Sequence, residues 1–316
     1  MFKVIVTGCA GFVGSHLVER LLKDGHTIVG IDNFSDHYPR GIKEKNMEGF
    51  VQERKFKFVE GDLLEADLKK LLNGVDVVFH QAAQAGVRDS WGVKFDVYTR
   101  NNILATQTLL EACKDSRIRK FIYASSSSIY GDAESMPTKE DVLPKPISPY
   151  GVSKLAGEHL CYLYWKIFRV PTISLRYFSV YGPRQRPDMG FYRFVDSVLR
   201  GVKLSIYGTG EQTRDFTYVS DIVDGNISAM MSKQNGDVFN IGGGSRISVN
   251  DCVKIIEKIL DKRARIERVA HQSGDAGHTY ADISKARKML GYKPEVCIED
   301  GLNKQALWMK NEVFNE

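Results

Sequence analysis

With 316 residues and a mass of 35.6 kDa, the chain is roughly twice a common single-domain length, so one large domain or two smaller ones are open. Its 43% apolar and 26% charged residues match the globular average, which excludes a disordered tail, a collagen-like fibre and a disulfide-dense miniprotein. A net charge of +5, spread along the chain, suits an anionic small ligand as readily as a nucleic acid.

Met1 leads straight into the β-branched run Lys3–Thr7, with no basic segment, apolar core and cleavage pattern ahead of it. No apolar run approaches the length of a membrane span. Cys9, Cys113, Cys161, Cys252 and Cys297 are widely spaced and form no C-x-x-C pair, which points to free thiols rather than disulfides or a metal site. A soluble cytoplasmic protein without a metal, and without nucleic acid or a membrane as partner, is expected.

Strands are predicted at Lys3–Thr7, Thr27–Asp32, Phe56–Glu60, Val75–His80, Phe121–Ser125 and Thr172–Arg176. Helices are predicted between them at Ser15–Lys23, Leu63–Leu72, Asn102–Lys114 and Gly151–Phe168. This alternation implies parallel strands joined by right-handed crossovers, an α/β doubly wound sheet over residues 1–180. After Tyr181 a Gly- and Pro-rich loop runs through Gly190, followed by predicted helices at Phe191–Arg200, Ser220–Met231, Val249–Leu260 and Ile283–Leu290. Residues 181–316 have too few long strands for a sheet of their own and read as a smaller lobe over the open end of the first, with a cleft between. The basic stretch Lys262–Arg265 reads as a solvated helix–strand junction.

Three local patterns carry chemistry. Glycines 8, 11 and 14 lie between the first strand and its helix, where a tight turn lets a pyrophosphate approach backbone N–H groups at the positive helix end. Asp32 closes the second strand, placed to accept hydrogen bonds from adenosine ribose hydroxyls and to repel a 2′-phosphate. With no basic residue in Asn33-Phe34-Ser35, NAD is favoured over NADP. Tyr150 and Lys154 form Y-x-x-x-K on one helix face, where an ammonium and an oxidised nicotinamide can stabilise a phenolate. Ser125–Ser128, ending the fifth strand, present hydroxyls either to the cleft or to local backbone amides, and the sequence leaves both open.

Together these motifs, with Arg176-Tyr177-Phe178-Ser179-Val180-Tyr181-Gly182-Pro183, Gln212–Asp221 and Thr279–Ala286, resemble the extended short-chain dehydrogenase/reductase superfamily of nucleotide-sugar epimerases and dehydratases. The resemblance spans essentially the whole chain and implies a Rossmann-type NAD-binding domain at 1–180. A smaller C-terminal mixed α/β lobe at 181–316 would bind the nucleotide sugar, with the chain free to cross between the two. It implies that Gly8, Gly11, Phe12, Val13, Gly14, Asp32 and Asn33 hold the adenosine diphosphate half of NAD. Asp62 and Leu63 would border the adenine, Ala82, Ala83 and Gln84 line the cofactor, and Asn102 begin the helix below it. Tyr150, Lys154 and Ser126 would be catalytic, with Lys154 also reaching the nicotinamide ribose and Ser126 the sugar O4. Arg214 would contact the nucleotide phosphates, Asp275 the uridine ribose and Tyr207 the base. Relatives often dimerise through the helices carrying Asn102 and Tyr150, so a homodimer is expected.

Ser127 and Ser128 stand where the 4,6-dehydratases carry Asp-Glu, and they cannot protonate a leaving hydroxyl, so elimination is disfavoured. What remains is reversible hydride transfer, a 4-epimerase. Asp32–Tyr38, His80–Arg88 and Gly182–Met189 resemble the UDP-glucuronate 4-epimerases more than the UDP-galactose group, which has Asn at the place of Ser179 and Arg at that of Gln272. The glucuronate group commonly has Trp where this chain has Arg184. Ser126, Ser127 and Ser128 can hydrogen-bond a uronate carboxylate without adding negative charge, with Ser179 nearby and Arg88 and Arg186 as cationic candidates. UDP-glucose, UDP-galactose or their N-acetyl forms remain the alternative substrates. Remaining alternatives are a reductase using exchangeable NAD(P)H, or a non-catalytic binding protein.

Overall fold

The computed structural model describes residues 1–270, 274 and 276–314. In chain order its strands are β1 (Lys3–Thr7), β2 (Thr27–Asp32), β3 (Phe56–Glu60), β4 (Val77–His80), β5 (Lys120–Ser126), β6 (Thr172–Tyr177), β7 (Ser179–Tyr181), β8 (Lys203–Tyr207), β9 (Thr213–Tyr218), β10 (Asp237–Ile241), β11 (Arg246–Ser248) and β12 (Arg265–Val269). Seven of them form one parallel sheet in the order β10-β6-β5-β4-β1-β2-β3.

Alternate residues of these strands feed two separate cores. Val4, Val6, Val77, Phe79 and Ile122 pack on one face with Leu17, Val18 and Leu21 of the helix Phe12–Lys23. Ile5, Val78, Phe121 and Tyr123 pack on the other with Leu109, Leu110 and Cys161. A strand covered on both sides reads as an unbroken apolar run, which is why β1, β4 and β5 were visible in the sequence. The strand order reverses beside β1, between β2 and β4, and a crevice opens at the carboxyl ends of those strands.

Residues beyond 180 do not stay apart from this sheet. The edge strand β10 pairs with β6, and the helix Val219–Met231 packs beside the helix Phe12–Lys23. The rest of that half joins β7 in a three-stranded sheet β11-β9-β7 and builds a two-stranded sheet β12-β8, around a third core containing Tyr181, Phe191, Leu204, Ile206, Val253 and Leu302. The expectation that it had too few long strands for a sheet of its own is corrected, since short strands form two small sheets. Its strands are short and broken by charged residues, as in Arg265-Ile266-Glu267-Arg268-Val269, which hides them from a search for apolar runs. Lys262–Ala264 join the helix Val249–Leu260 to β12, the junction expected. All five cysteines are unpaired. Among the described residues no helix is long and apolar enough to cross a membrane.

Candidate active site

A cavity of about 940 Å³ runs along the carboxyl ends of the central strands and under the small lobe. That is the upper end of the range for small-molecule sites, roughly 300–1,000 Å³. The residues expected at the two ends of the site are brought together here.

At one end lies the glycine turn. Gly8 has φ +68°, and a Cβ on it would stand 2.8 Å from the backbone of Ala82. A Cβ on Gly14 would stand 2.0 Å from the Gly8 carbonyl oxygen, so neither position accepts a side chain. Gly11 begins the helix with no side-chain cap and no acidic residue follows in the first turn. The terminus is built to receive an anion at its N–H groups.

Asp32, at the end of β2, accepts from Phe34 N–H at 2.9 Å and Ala10 N–H at 3.2 Å. Burial pushes its carboxyl up, while these N–H groups and the charge of Lys43 pull it back. Asn33, Asp62, Leu63, Ala82 and Ala83 line the same end. Turn, acid and cavity together fit the adenosine diphosphate half of a dinucleotide.

Two expected cofactor residues stand just behind the wall. Gln84 N–H donates to Asn102 Oδ1 at 2.7 Å, and Asn102 Nδ2 donates to Gln84 O and Ser153 Oγ, both at 2.9 Å. Asn102 lies in a π-helical stretch, Thr99–Leu104, and ties the loop after β4 to the Tyr150 helix.

At the other end, Ser148 accepts from Gly151 N–H at 3.1 Å and Pro149 follows it, which fixes where the helix Pro149–Phe168 begins. Tyr150 is thereby held in its first turn, facing the end of β5. The half-buried Tyr150 ring packs edge-on with the Tyr98 ring, 6.2 Å between centroids. Burial raises its pKa above the ordinary value, while a hydrogen bond with Ser126 and the positive charge of Arg186 lower it.

Sequence spacing assigned that lowering role to Lys154. In the structure Lys154 Nζ donates to the carbonyl of Ala124 at 2.7 Å and sits 5.1 Å over the Tyr123 ring, and burial pushes it down to about 7. Within the chain alone, Ser126 and Arg186 oppose the effect of burial on Tyr150. Helical spacing places Lys154 on the Tyr150 face, but its side chain extends to the backbone of β5.

Ser126, Ser127, Ser128, Ser179, Arg88, Arg186, Tyr207 and Arg214 all line the cavity, and Asp275 and Gln272 lie outside the described residues. Ser126 Oγ accepts from Ser128 N–H at 3.1 Å, so one hydroxyl of the run both caps the turn and meets Tyr150. Both readings left open by the sequence thus hold for the same residue. The Arg88 guanidinium stacks 3.9 Å from the Tyr207 ring centroid, and Arg214 donates to Thr213 O and Gly277 O.

Lys43, Tyr38, His37, Gln81 and Tyr177 also line the cavity and were not foreseen. Lys43 comes from the helix Arg40–Met47 and donates to Ser35 O at 2.6 Å, so a buried cation does lie close to Asp32, although none follows it directly in sequence. Tyr177 and Gln81 share hydrogen bonds with Asn226 from the helix Val219–Met231.

A family model, the NAD dependent epimerase/dehydratase family, matches residues 4–242. The chain is 46% identical over 312 residues to an uncharacterised UDP-glucose epimerase of Bacillus subtilis (strain 168), covering 98% of both chains. It is 38% identical over 314 residues to a UDP-glucuronate 4-epimerase of Thermodesulfobacterium geofontis (strain OPF15), covering 98% of this chain and 96% of the other. Among solved structures it is similar to the UDP-glucuronic acid 4-epimerase of Bacillus cereus in complex with UDP-glucuronic acid and NAD. That likeness has a TM-score of 0.95 at 47% identity, over 98% of this chain and 99% of that chain.

Proposed function

The chain belongs to the NAD dependent epimerase/dehydratase family, and we propose that it inverts C4 of a UDP-linked hexose through a transient 4-ketone, interconverting UDP-glucuronate and UDP-galacturonate. The observation that carries this reading is that Tyr150 and Ser126 line the same cavity as the glycine turn and Asp32, with serines rather than acids at 127 and 128. NAD is the cofactor, held by Gly8–Gly14, Asp32 and the loops after β3 and β4. Bound there, it supplies an acceptor that takes the C4 hydrogen with its electron pair and later returns it.

Ser126 positions the sugar O4, and Tyr150 as phenolate removes the O4 proton. The nucleotide, held by Arg214 and Tyr207, stays in place while the keto sugar turns over about its bond to the phosphate. Tyr150 then returns the proton to O4 of the inverted sugar. For a uronate the ketone is a β-keto acid, which loses CO₂ readily. Ser127 and Ser128, with Arg88 and Arg186 as cationic partners, restrain the carboxylate against that loss.

The π-helical stretch Thr99–Leu104 and the helix Pro149–Phe168 expose Leu104, Val152, Leu163 and Ile167. Those exposed apolar side chains support a homodimer.

Proton NMR with UDP-glucuronate, UDP-glucose and UDP-N-acetylglucosamine in turn tests the assignment. C4 inversion is expected with the uronate without added NAD. Turnover only of the neutral sugars would replace the substrate, and turnover only with added NAD(P)H would replace the reaction. In the same assay, replacing Ser127 and Ser128 together by Ala is expected to raise the ratio of decarboxylated to epimerised product severalfold. An unaltered ratio would remove the restraint assigned to them.

A further inference from the structure

The segment Gly182–Gly190 crosses the mouth of the dinucleotide cradle, and its anchors lie on both sides of that mouth. On one side, His16 Nε2 meets the Pro183 carbonyl at 2.9 Å. Arg184 donates to Glu19 at 2.5 Å and to Ser15 at 3.3 Å. These three residues stand on the helix that starts at the glycine turn. Arg184 has φ +64°, a backbone region that side-chain-bearing residues seldom adopt, and its ionic contact holds it there.

On the other side, Arg186 forms a two-point pair with Asp188, at 3.0 and 2.9 Å. Asp188 then faces His37 in the loop after β2. Gln84 donates to His37 Nδ1 at 2.9 Å, which leaves the His37 proton on Nε2. That Nε2 is buried with no hydrogen-bond partner among the described residues, 4.0 Å from Asp188 Oδ2. A small tightening of the segment would close this gap. Its middle is fixed to the small lobe through Gln185 and Gln305, 2.8 Å apart.

We propose that Pro183–Asp188 is a clasp over the bound dinucleotide, fastened by Arg184–Glu19 at one end and by Asp188–His37 at the other, that prevents cofactor loss while the sugar is a ketone. The inference rests on the reading that one NAD serves both halves of the reaction. Arg184, Glu19 and His37 position the clasp, whereas Arg186, within it, also faces the sugar and is left unchanged in the test.

The test is exchange of NAD from the purified holoenzyme against isotopically labelled NAD, followed by gel filtration at intervals. Wild type is expected to exchange slowly. Glu19→Gln and Arg184→Leu should each speed exchange at least tenfold, and the two together no more than either alone. Arg184→Lys should recover most of the retention, which a general packing defect would not show. His37→Phe should speed exchange independently, because it opens the other end. Exchange within twofold of wild type in both Arg184→Leu and His37→Phe would overturn the clasp, as would free exchange by the wild-type protein. C4 inversion, followed separately by NMR, judges the proposed reaction whatever the exchange rates are.

Discussion

Tyr150→Phe is expected to lower kcat for C4 inversion by about 100- to 10,000-fold, the range for losing a positioned general base. The ring keeps its volume and its edge contact with Tyr98, so the fold should be little affected. Only the phenol oxygen is lost, and with it the bond to Ser126. The glycine turn and Asp32 are untouched, so NAD should still be present when the variant is denatured. In the parent enzyme the rate should rise with pH, because the reactive form is the phenolate and burial holds the phenol above its ordinary pKa. Removing the Arg186 charge should move that rise to higher pH, since a cation favours the ionised form. Proton NMR of turnover against pH measures both effects. Turnover by the Tyr150→Phe variant within tenfold of wild type would show that some other group takes the O4 proton.

What could be read from the sequence was local. The turn at Gly8, Gly11 and Gly14, Asp32 at the end of its strand, and Tyr150 near a helix start each depend on residues within a few positions of one another. The long-range partners were not legible. The charge of Lys43 acts on Asp32 from a helix whose polar composition gave no strong period, and that of Arg186 acts on Tyr150 from a loop that apolar patterning does not address. The strand β10 was missed because its place at the sheet edge is set by pairing with β6, more than 60 residues away in register. Lys154 shows the same limit at shorter range, since spacing chose the helix face but the carbonyl of Ala124 chose the direction of the side chain. Residue types that make a site were thus visible, while the field acting on each of them required the assembled fold.

The largest loss of stability is expected from Arg176→Leu, about 3–5 kcal/mol, the cost of leaving one member of a buried ion pair alone. Arg176 Nε and Nη2 each donate to Glu158 at 2.9 Å, and both side chains are 5% exposed. Ser125 donates to the same carboxylate at 2.6 Å, and Arg176 Nη1 donates to Tyr130 Oη at 2.7 Å. This network joins β5, β6 and the helix that carries Tyr150, directly beneath Ser126. With the guanidinium gone, the buried carboxylate keeps only its hydroxyl donor, Ser125. Chemical denaturation should therefore show a lowered midpoint with little change in slope. Turnover should fall as well, because Ser125, next to Ser126, is bonded to Glu158 on the helix that carries Tyr150. Replacing both partners by Leu should restore most of the lost stability, since a well-packed apolar pair carries no unpaired charge. It should restore less of the turnover, because Ser125 would then lose its acceptor. If the double variant were no more stable than Arg176→Leu alone, packing of the arginine stem rather than the stranded carboxylate would be the cause.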